Sequence, residues 1–541
     1  MMRRDILSDK RIQRIVFVII VCLQLLFITY WAKQKCNLFL DEAYSLEYTS
    51  DYLDTEKYKV KFVYTEIFQS DTWFPVQPLQ DELSLEPEES IFRLSPGEMI
   101  RLLFSRRIYF GLLNMAESIL SPGEISMYPA ILLNCLFFVL IQFVLFRIFK
   151  TLRINDFYTL WGVAFYGFCG LIISHVIFVR FYVFTILMFL TVILLHLKMW
   201  EEENIWKFFF EEITSLILLY LALKCSELTM IYGGAFVGLY FILLMIKKRW
   251  RQALIYGAPM IGISVWYLYT KTILLDILFH PARYTGVRSF AQSYTTWNVT
   301  HATYDFITLW LMNYYRWAGS SLFGSTRIFK GLLIILSGIY IVKRIKNKVF
   351  VSDPQAVFVL VLCIVFAVYC LFAALAGLFF PKYLCVMLTV LFIIFLYSAD
   401  RILKDIPYQK VIITLELILL ATAVYETFSH RLVDYTYSEH AETINAVHTY
   451  KDLDILFIDC NKKEHHAIYD CIYNAGEKVQ VYFDISSADL NEVEMPDEML
   501  VWSHSFTEPD FSVRLADFEV TTLGNTRDSV IYHAKRRYTD E

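Results

Sequence analysis

Residues 15–31 read IVFVIIVCLQLLFITYW, and residues 39–45, a short step later, read FLDEAYS. The first stretch carries no charge and is long enough to cross a hydrocarbon core of about 30 Å as a helix. Arg3, Arg4, Lys10, Arg11 and Arg14 precede it. It exceeds a typical signal-peptide apolar region, and no small-residue cleavage site follows, so it reads as an anchor. A basic start, one span and then Asp41-Glu42 place paired carboxylates at the far face of a membrane.

Further apolar stretches lie near 126–146, 157–177, 182–199, 207–223, 228–246, 253–273, 328–342, 355–377, 384–399 and 411–427. With 57% apolar and 19% charged residues, against about 25% charged in soluble domains, the chain reads as a polytopic α-helical membrane protein with about 11 transmembrane helices. A β-barrel would show shorter alternating strands. The stretch at 207–223 is the weakest, because Glu211 and Glu212 interrupt it, and losing it would invert everything downstream. The clusters Arg147/Lys150/Arg153, Lys247/Lys248/Arg249/Arg251, Lys343/Arg344/Lys346/Lys348 and Arg401/Lys404/Lys410 all fall on the side of the N-terminus. The positive-inside rule makes that side cytoplasmic. A transmembrane domain over 1–428 is then expected, with outer loops at about 32–125 and 274–327. An extracytoplasmic α/β domain over 429–541 follows.

Net charge is −5, which leaves no basic footprint for nucleic acid. Most of the ten cysteines lie in apolar spans and read as small hydrophobes. Cys460 and Cys471 fall in the tail, where their separation permits a disulfide without requiring one. No Cys/His spacing matches a zinc site. Asp454, Asp459, His465 and His466 are too loosely arranged to be read as a metal cluster.

Three stretches give the chain a family likeness: Leu40-Asp41-Glu42-Ala43-Tyr44-Ser45 after the first span, Ser174-His175-Val176-Ile177-Phe178-Val179-Arg180-Phe181-Tyr182 opening a helix, and Pro381-Lys382-Tyr383-Leu384 starting a late span. In order and layout they resemble the GT-C-type membrane glycosyltransferases, the superfamily of protein O-mannosyltransferases and aminoarabinose transferases, over roughly residues 10–430. Lys382 stands where the family carries Arg. Bacterial relatives also carry a stretch like Asp-x-His-Pro-Pro-Leu-Tyr-Tyr after the first loop. Here Phe104-Ser105-Arg106-Arg107-Ile108-Tyr109-Phe110-Gly111 keeps an aromatic pair and lacks the acid, the His and the prolines. Altered specificity, lowered activity and a degenerate scaffold are all open readings of that departure.

The resemblance implies a polyprenyl-phosphate sugar as donor and transfer to an acceptor, with inversion, at the outer face of the plasma membrane. A hydroxyl acceptor loses its proton as it attacks, so a carboxylate must stand within reach. Asp41 is the candidate base, with Glu42 in a positioning or binding role; an ordinary solvated acidic pair is the plainer alternative. The phosphate leaving group needs cations, and Arg106, Arg107, Arg180 and Lys382 are expected on the outer side. Snorkelling to lipid headgroups is their plainer alternative. His175, Tyr182 and Tyr383 complete the expected binding set. A divalent metal ion is left open as cofactor, with no ligand residue assigned. The acceptor, whether glycan, lipid or protein, is not legible.

The outer loops are rich in aromatics (Tyr64, Phe68, Trp73, Phe74, Tyr284, Phe290, Tyr294, Trp297, Tyr304), which suit sugar faces and polyprenyl tails, though the membrane interface is the default reading for most of them. Glu98–Leu120 reads as one interfacial amphipathic helix. Asn298-Val299-Thr300 matches the N-glycosylation triplet. In the tail, Leu453–Asp459 reads as a buried strand, His465–Ala475 as a helix capped at Gly476, and Lys478–Ile485 as a strand, with later strands near 518–523 and 528–535. A transporter or lipid-handling protein is the rival from another class; the chain shows neither an internal repeat nor mid-membrane charges of that kind.

Overall fold

The apolar runs become helices. A computed structural model describes residues 9–53, 73–270, 353–375, 381–403, 409–429, 432–459, 466–476, 478–484, 494–504, 515–526 and 529–537, with 338 and 342. The second outer loop, the glycosylation triplet, Cys460, and the span at 328–342 save those two positions lie outside the described residues. In chain order the helices are α1 (Lys10–Gln34), α2 (Leu40–Ser50), α3 (Gln77–Asp81), α4 (Pro96–Ser105), α5 (Ile108–Leu120), α6 (Tyr128–Thr151), α7 (Asp156–Phe168), α8 (Gly170–Ile177), α9 (Tyr182–Glu201), α10 (Ile205–Cys225), α11 (Thr229–Ile246), α12 (Trp250–Thr270), α13 (Pro354–Leu375), α14 (Pro381–Leu403), α15 (Gln409–Ser429), α16 (Ala441–Thr449) and α17 (His466–Asn474). Proline opens α13 and α14, where its missing N–H costs no intrahelical bond.

Seven of these helices (α1, α6, α9, α11, α13, α14 and α15) are long and apolar enough to cross a membrane. The expected span at 157–177 is a bent pair, α7 and α8, turned by 52°. Cys169 between them is extended (φ −73°, ψ 143°). Gly170 then lets the chain pass close: a Cβ there would lie 2.4 Å from the Leu432 carbonyl oxygen. Helices also cover the stretches near 207–223 and 253–273, as α10 and α12, but neither meets the same apolar criterion. The described residues therefore hold seven candidate spans, or eight with the bent pair, and not the eleven counted from hydropathy.

The chain divides into two units, one of residues 1–28, 135–176 and 181–434, the other of 29–134, 177–180 and 435–541. The first is the helical one. Its large buried aromatics include Tyr166, Tyr232, Tyr240, Tyr256, Tyr369 and Tyr397. His196 Nε2 stands 2.8 Å from the Tyr256 hydroxyl, so a polar group buried among apolar helices keeps a partner.

The second unit joins the segment that follows α1 to the tail through one six-stranded sheet. Its strands are β1 (Phe74–Pro75), β2 (Ile455–Asp459), β3 (Gln480–Asp484), β4 (Glu498–His504), β5 (Phe518–Asn525) and β6 (Val530–Arg536), in the order β1-β3-β2-β4-β6-β5. β2 runs parallel to both β3 and β4. Parallel neighbours need a crossover, and α17 supplies the one between β2 and β3. Ile455, Leu456, Phe457 and Ile458 are all buried, as a strand covered on both faces requires. β6 and β5 continue the sheet antiparallel. Leu456, Tyr482, Met499, Val501, Phe518 and Tyr532 share its core. β4 escaped the sequence reading because its apolar run is short, and β1 because two residues carry no period.

Asn114 of α5 ties the loop together. Its Nδ2 donates to the Thr49 and Glu89 carbonyls, 3.0 Å each, and its Oδ1 accepts the Ile91 N–H at 2.8 Å. The single helix expected over Glu98–Leu120 is in fact two. A capping box of Ser95 and Glu98 with Pro96 at the first turn opens α4, as such signals do. It closes at Arg106, which is extended (φ −110°, ψ −171°). Arg107 (φ −73°, ψ 101°) then precedes α5. The break lets α5 pack close to Tyr52: a Cβ at Gly111 would meet the Tyr52 hydroxyl at 2.6 Å.

Candidate functional site

The site grows from the first turn of α2. Phe39 is extended there (φ −87°, ψ 154°), and Asp41 and Glu42 occupy the turn that follows, where the helix dipole favours negative charge. Glu42 Oε2 accepts the Phe39 N–H at 2.7 Å and the Lys35 ammonium at 2.9 Å. Its Oε1 accepts the Val179 N–H at 2.8 Å. Both side chains of the Lys35–Glu42 pair are fully buried. Burial pushes the Glu42 carboxyl up and the Lys35 ammonium down, while their attraction and the two backbone N–H groups favour the charged forms. Lys35 also donates to the Tyr435 carbonyl at 2.7 Å. The Phe178 and Tyr435 rings stack at 4.1 Å, and Phe39 packs on both.

Glu42 thus joins residues 177–180 to α2, and Arg180 follows directly. Its Nη1 donates to the Asp41 carbonyl oxygen at 2.8 Å and to Ser45 Oγ at 3.0 Å. Asp41 and Ser45 are one helical turn apart, so one guanidinium reaches both. The same guanidinium lies 6.0 Å from the Phe110 ring centroid, Phe110 stacks on Tyr48 at 5.2 Å, and Arg107 lies 5.5 Å from the Tyr48 ring. Two cations therefore flank a stacked aromatic pair beside the half-buried Asp41. Cation–ring contact of this kind helps hold a guanidinium in place.

Of the residues expected from sequence, the structure gathers Asp41, Glu42 and Arg180 around one helix end, while Arg107 meets the same aromatic stack at Tyr48, two turns further along α2. Glu42 is occupied as an internal tie. Arg106 sits at the other end of α2: it donates to the Tyr52 and Asp51 carbonyls and its guanidinium lies 5.8 Å from the Tyr52 ring, a cation at a helix C-terminus. His175, Tyr182, Lys382 and Tyr383 belong to the other unit. There the His175 ring meets Tyr182 edge-on at 5.8 Å, and His175 Nδ1 lies 2.7 Å from the Leu171 carbonyl oxygen. Lys382 lies 5.2 Å from the Tyr383 ring. Sequence reading missed Lys35, Ser45, Tyr48 and the Val179 N–H. Ser45 and Tyr48 recur at helical spacing from Asp41, a usable signal; nothing in the sequence pairs Lys35 with Glu42 across a break in the helix. Among the described residues no three His, Cys, Asp or Glu side chains converge as metal ligands.

No protein-family model and no curated protein matches the chain. Solved structures do. The ArnT of Cupriavidus metallidurans bound to undecaprenyl phosphate superposes with a TM-score of 0.50 at 10% identity, over 95% of this chain and 97% of that one. The same ArnT in its apo state gives 0.38 at 12% identity over the same shares, 95% and 97%. An Archaeoglobus fulgidus oligosaccharyltransferase in complex with zinc and sulfate gives 0.40 at 9% identity, over 78% and 64%. The chain is a multi-pass membrane protein. Its fold is that of the GT-C-type membrane glycosyltransferases, with a small sheet formed largely by the C-terminal segment.

Proposed function

We propose that this protein is an inverting glycosyltransferase that moves a sugar from a polyprenyl-phosphate donor to an acceptor at the outer face of the plasma membrane. One observation carries the reading: Arg180 is hydrogen-bonded to the residue that supplies the candidate base, Asp41, with Arg107 on the same aromatic stack. The acceptor oxygen attacks the anomeric carbon from the face opposite the phosphate. The new C–O bond forms as the bond to the phosphate oxygen breaks, Asp41 takes the acceptor's proton, and the lipid phosphate leaves as an anion. Positioned cations stabilise that developing charge, and Arg gives two-point contact to phosphate oxygens. The undecaprenyl phosphate bound to the ArnT of similar fold supports a polyprenyl phosphate as the lipid partner. The N-terminus then lies in the cytoplasm, with Asp41 and the tail outside.

The test is purified full-length protein incubated with a panel of radiolabelled undecaprenyl-phosphate sugars and a cell-envelope extract. Label moving to an acceptor supports the enzyme. Vectorial uptake of label into liposomes would replace it with a transporter. Neither outcome would leave the scaffold reading that the altered 104–111 segment suggests.

A further inference from the structure

The tail helix α17 grips the loop that carries Asp41. Tyr469 donates its hydroxyl to Glu47 Oε2 at 3.1 Å, and its ring meets Tyr44 edge-on at 5.5 Å. Asp470 accepts from the Asn37 side chain, and Asn474 Nδ2 donates to Asn37 Oδ1 at 3.3 Å. Gln80 of α3 donates to the Ile472 and Ala475 carbonyls at 3.0 and 2.9 Å, satisfying acceptors that a helix end leaves open. The helix is thus held before α2, along α2 and from α3.

Asp41, Tyr44 and Glu47 fall at three-residue steps, and such residues are neighbours along one helix face. Contacts made by Tyr469 at two of them therefore bear on the orientation of the third. A nine-residue helix has little stability of its own in water, so α17 and α2 depend on each other's packing.

We propose that Tyr469 is a positioning residue: through Glu47 and Tyr44 the C-terminal segment sets the orientation of the helix that presents Asp41. The proposal rests on the reading of Asp41 as the proton acceptor, and assigns the tail a part in that site. It asks for no substrate contact from the tail.

The experiment compares full-length wild type, Tyr469→Ala and Tyr469→Phe by hydrogen–deuterium exchange over residues 40–50 and by transfer kinetics with the undecaprenyl-phosphate sugar panel. Tyr469→Ala should speed exchange across 40–50 about tenfold, with the spans unchanged. It should lower kcat about tenfold at an unchanged donor KM, the mark of misplaced chemistry with binding intact. Tyr469→Phe keeps the ring and loses the hydroxyl, so it should fall between the two and remain readable even if Tyr469→Ala fails to fold. Wild-type exchange over 40–50 in the variants, or wild-type kcat, overturns the proposal. If wild type itself transfers no label, the catalytic reading fails, and the exchange measurement still decides whether Tyr469 orders the helix.

Discussion

Lys35 Nζ lies 2.9 Å from Glu42 Oε2, and neither side chain meets solvent. Removing one partner of a buried pair leaves the other charge unpaired, typically at about 3–5 kcal/mol. Lys35→Met and Glu42→Ala should each lower the stability of the purified protein by that order. Glu42→Ala should cost the more, because it also frees the Phe39 and Val179 N–H groups. Chemical unfolding followed by tryptophan fluorescence measures both; wild-type midpoints would show that the pair is not a structural tie.

Asp41→Asn keeps the size of the side chain and removes its basicity. A positioned general base contributes about 10²–10⁴-fold, so the label-transfer rate should fall by that factor while the unfolding midpoint stays at the wild-type value. Full activity would remove Asp41 from the mechanism.

Arg180→Lys keeps the charge and loses the planar guanidinium whose Nη1 reaches both the Asp41 carbonyl and Ser45 Oγ. Lys meets phosphate as a point charge. The donor KM should rise about tenfold, and undecaprenyl phosphate should compete more weakly in the same assay. An unchanged KM would place the phosphate elsewhere.

Glu47 is raised from 4.5 to about 7 in the folded protein. Burial is the main cause; the Tyr469 hydroxyl opposes it, and the carboxylates of Glu82 and Asp51 add to it. Between those two values the folded state holds a proton that the unfolded chain has lost. Glu47 therefore favours folding at low pH, and its contribution disappears as pH rises toward 7. Glu47→Gln does not titrate, so the fall in stability from pH 5 to pH 8 should shrink by up to about 3 kcal/mol. Unfolding curves at the two pH values check this; an identical pH dependence in the variant would mean that Glu47 titrates normally.

Hydropathy made most of the helices legible, because a lipid-crossing segment must satisfy its own backbone hydrogen bonds and therefore shows itself as one continuous apolar run. The acidic pair, the strand at 455–459 and the helix after it were readable for the same local reason: burial, period and capping are written into neighbouring residues. Four of the eleven expected spans are not among the seven: a bend at Cys169 divides 157–177, the helices over 207–223 and 253–273 miss the apolar criterion, and 328–342 lies outside the described residues save two positions.

What Glu42 and Glu47 touch was decided by the tertiary structure alone. The Val179 N–H that Glu42 accepts is 137 residues away, and the Tyr469 hydroxyl on Glu47 is 422 away. The helix break at Arg106-Arg107 and the two-residue strand at Phe74–Pro75 belong with them. A side chain's own neighbours in sequence tell which face of a helix it occupies. They carry no record of which distant backbone or hydroxyl will meet it once that face is covered, and the chemistry of a buried carboxylate is set by that partner.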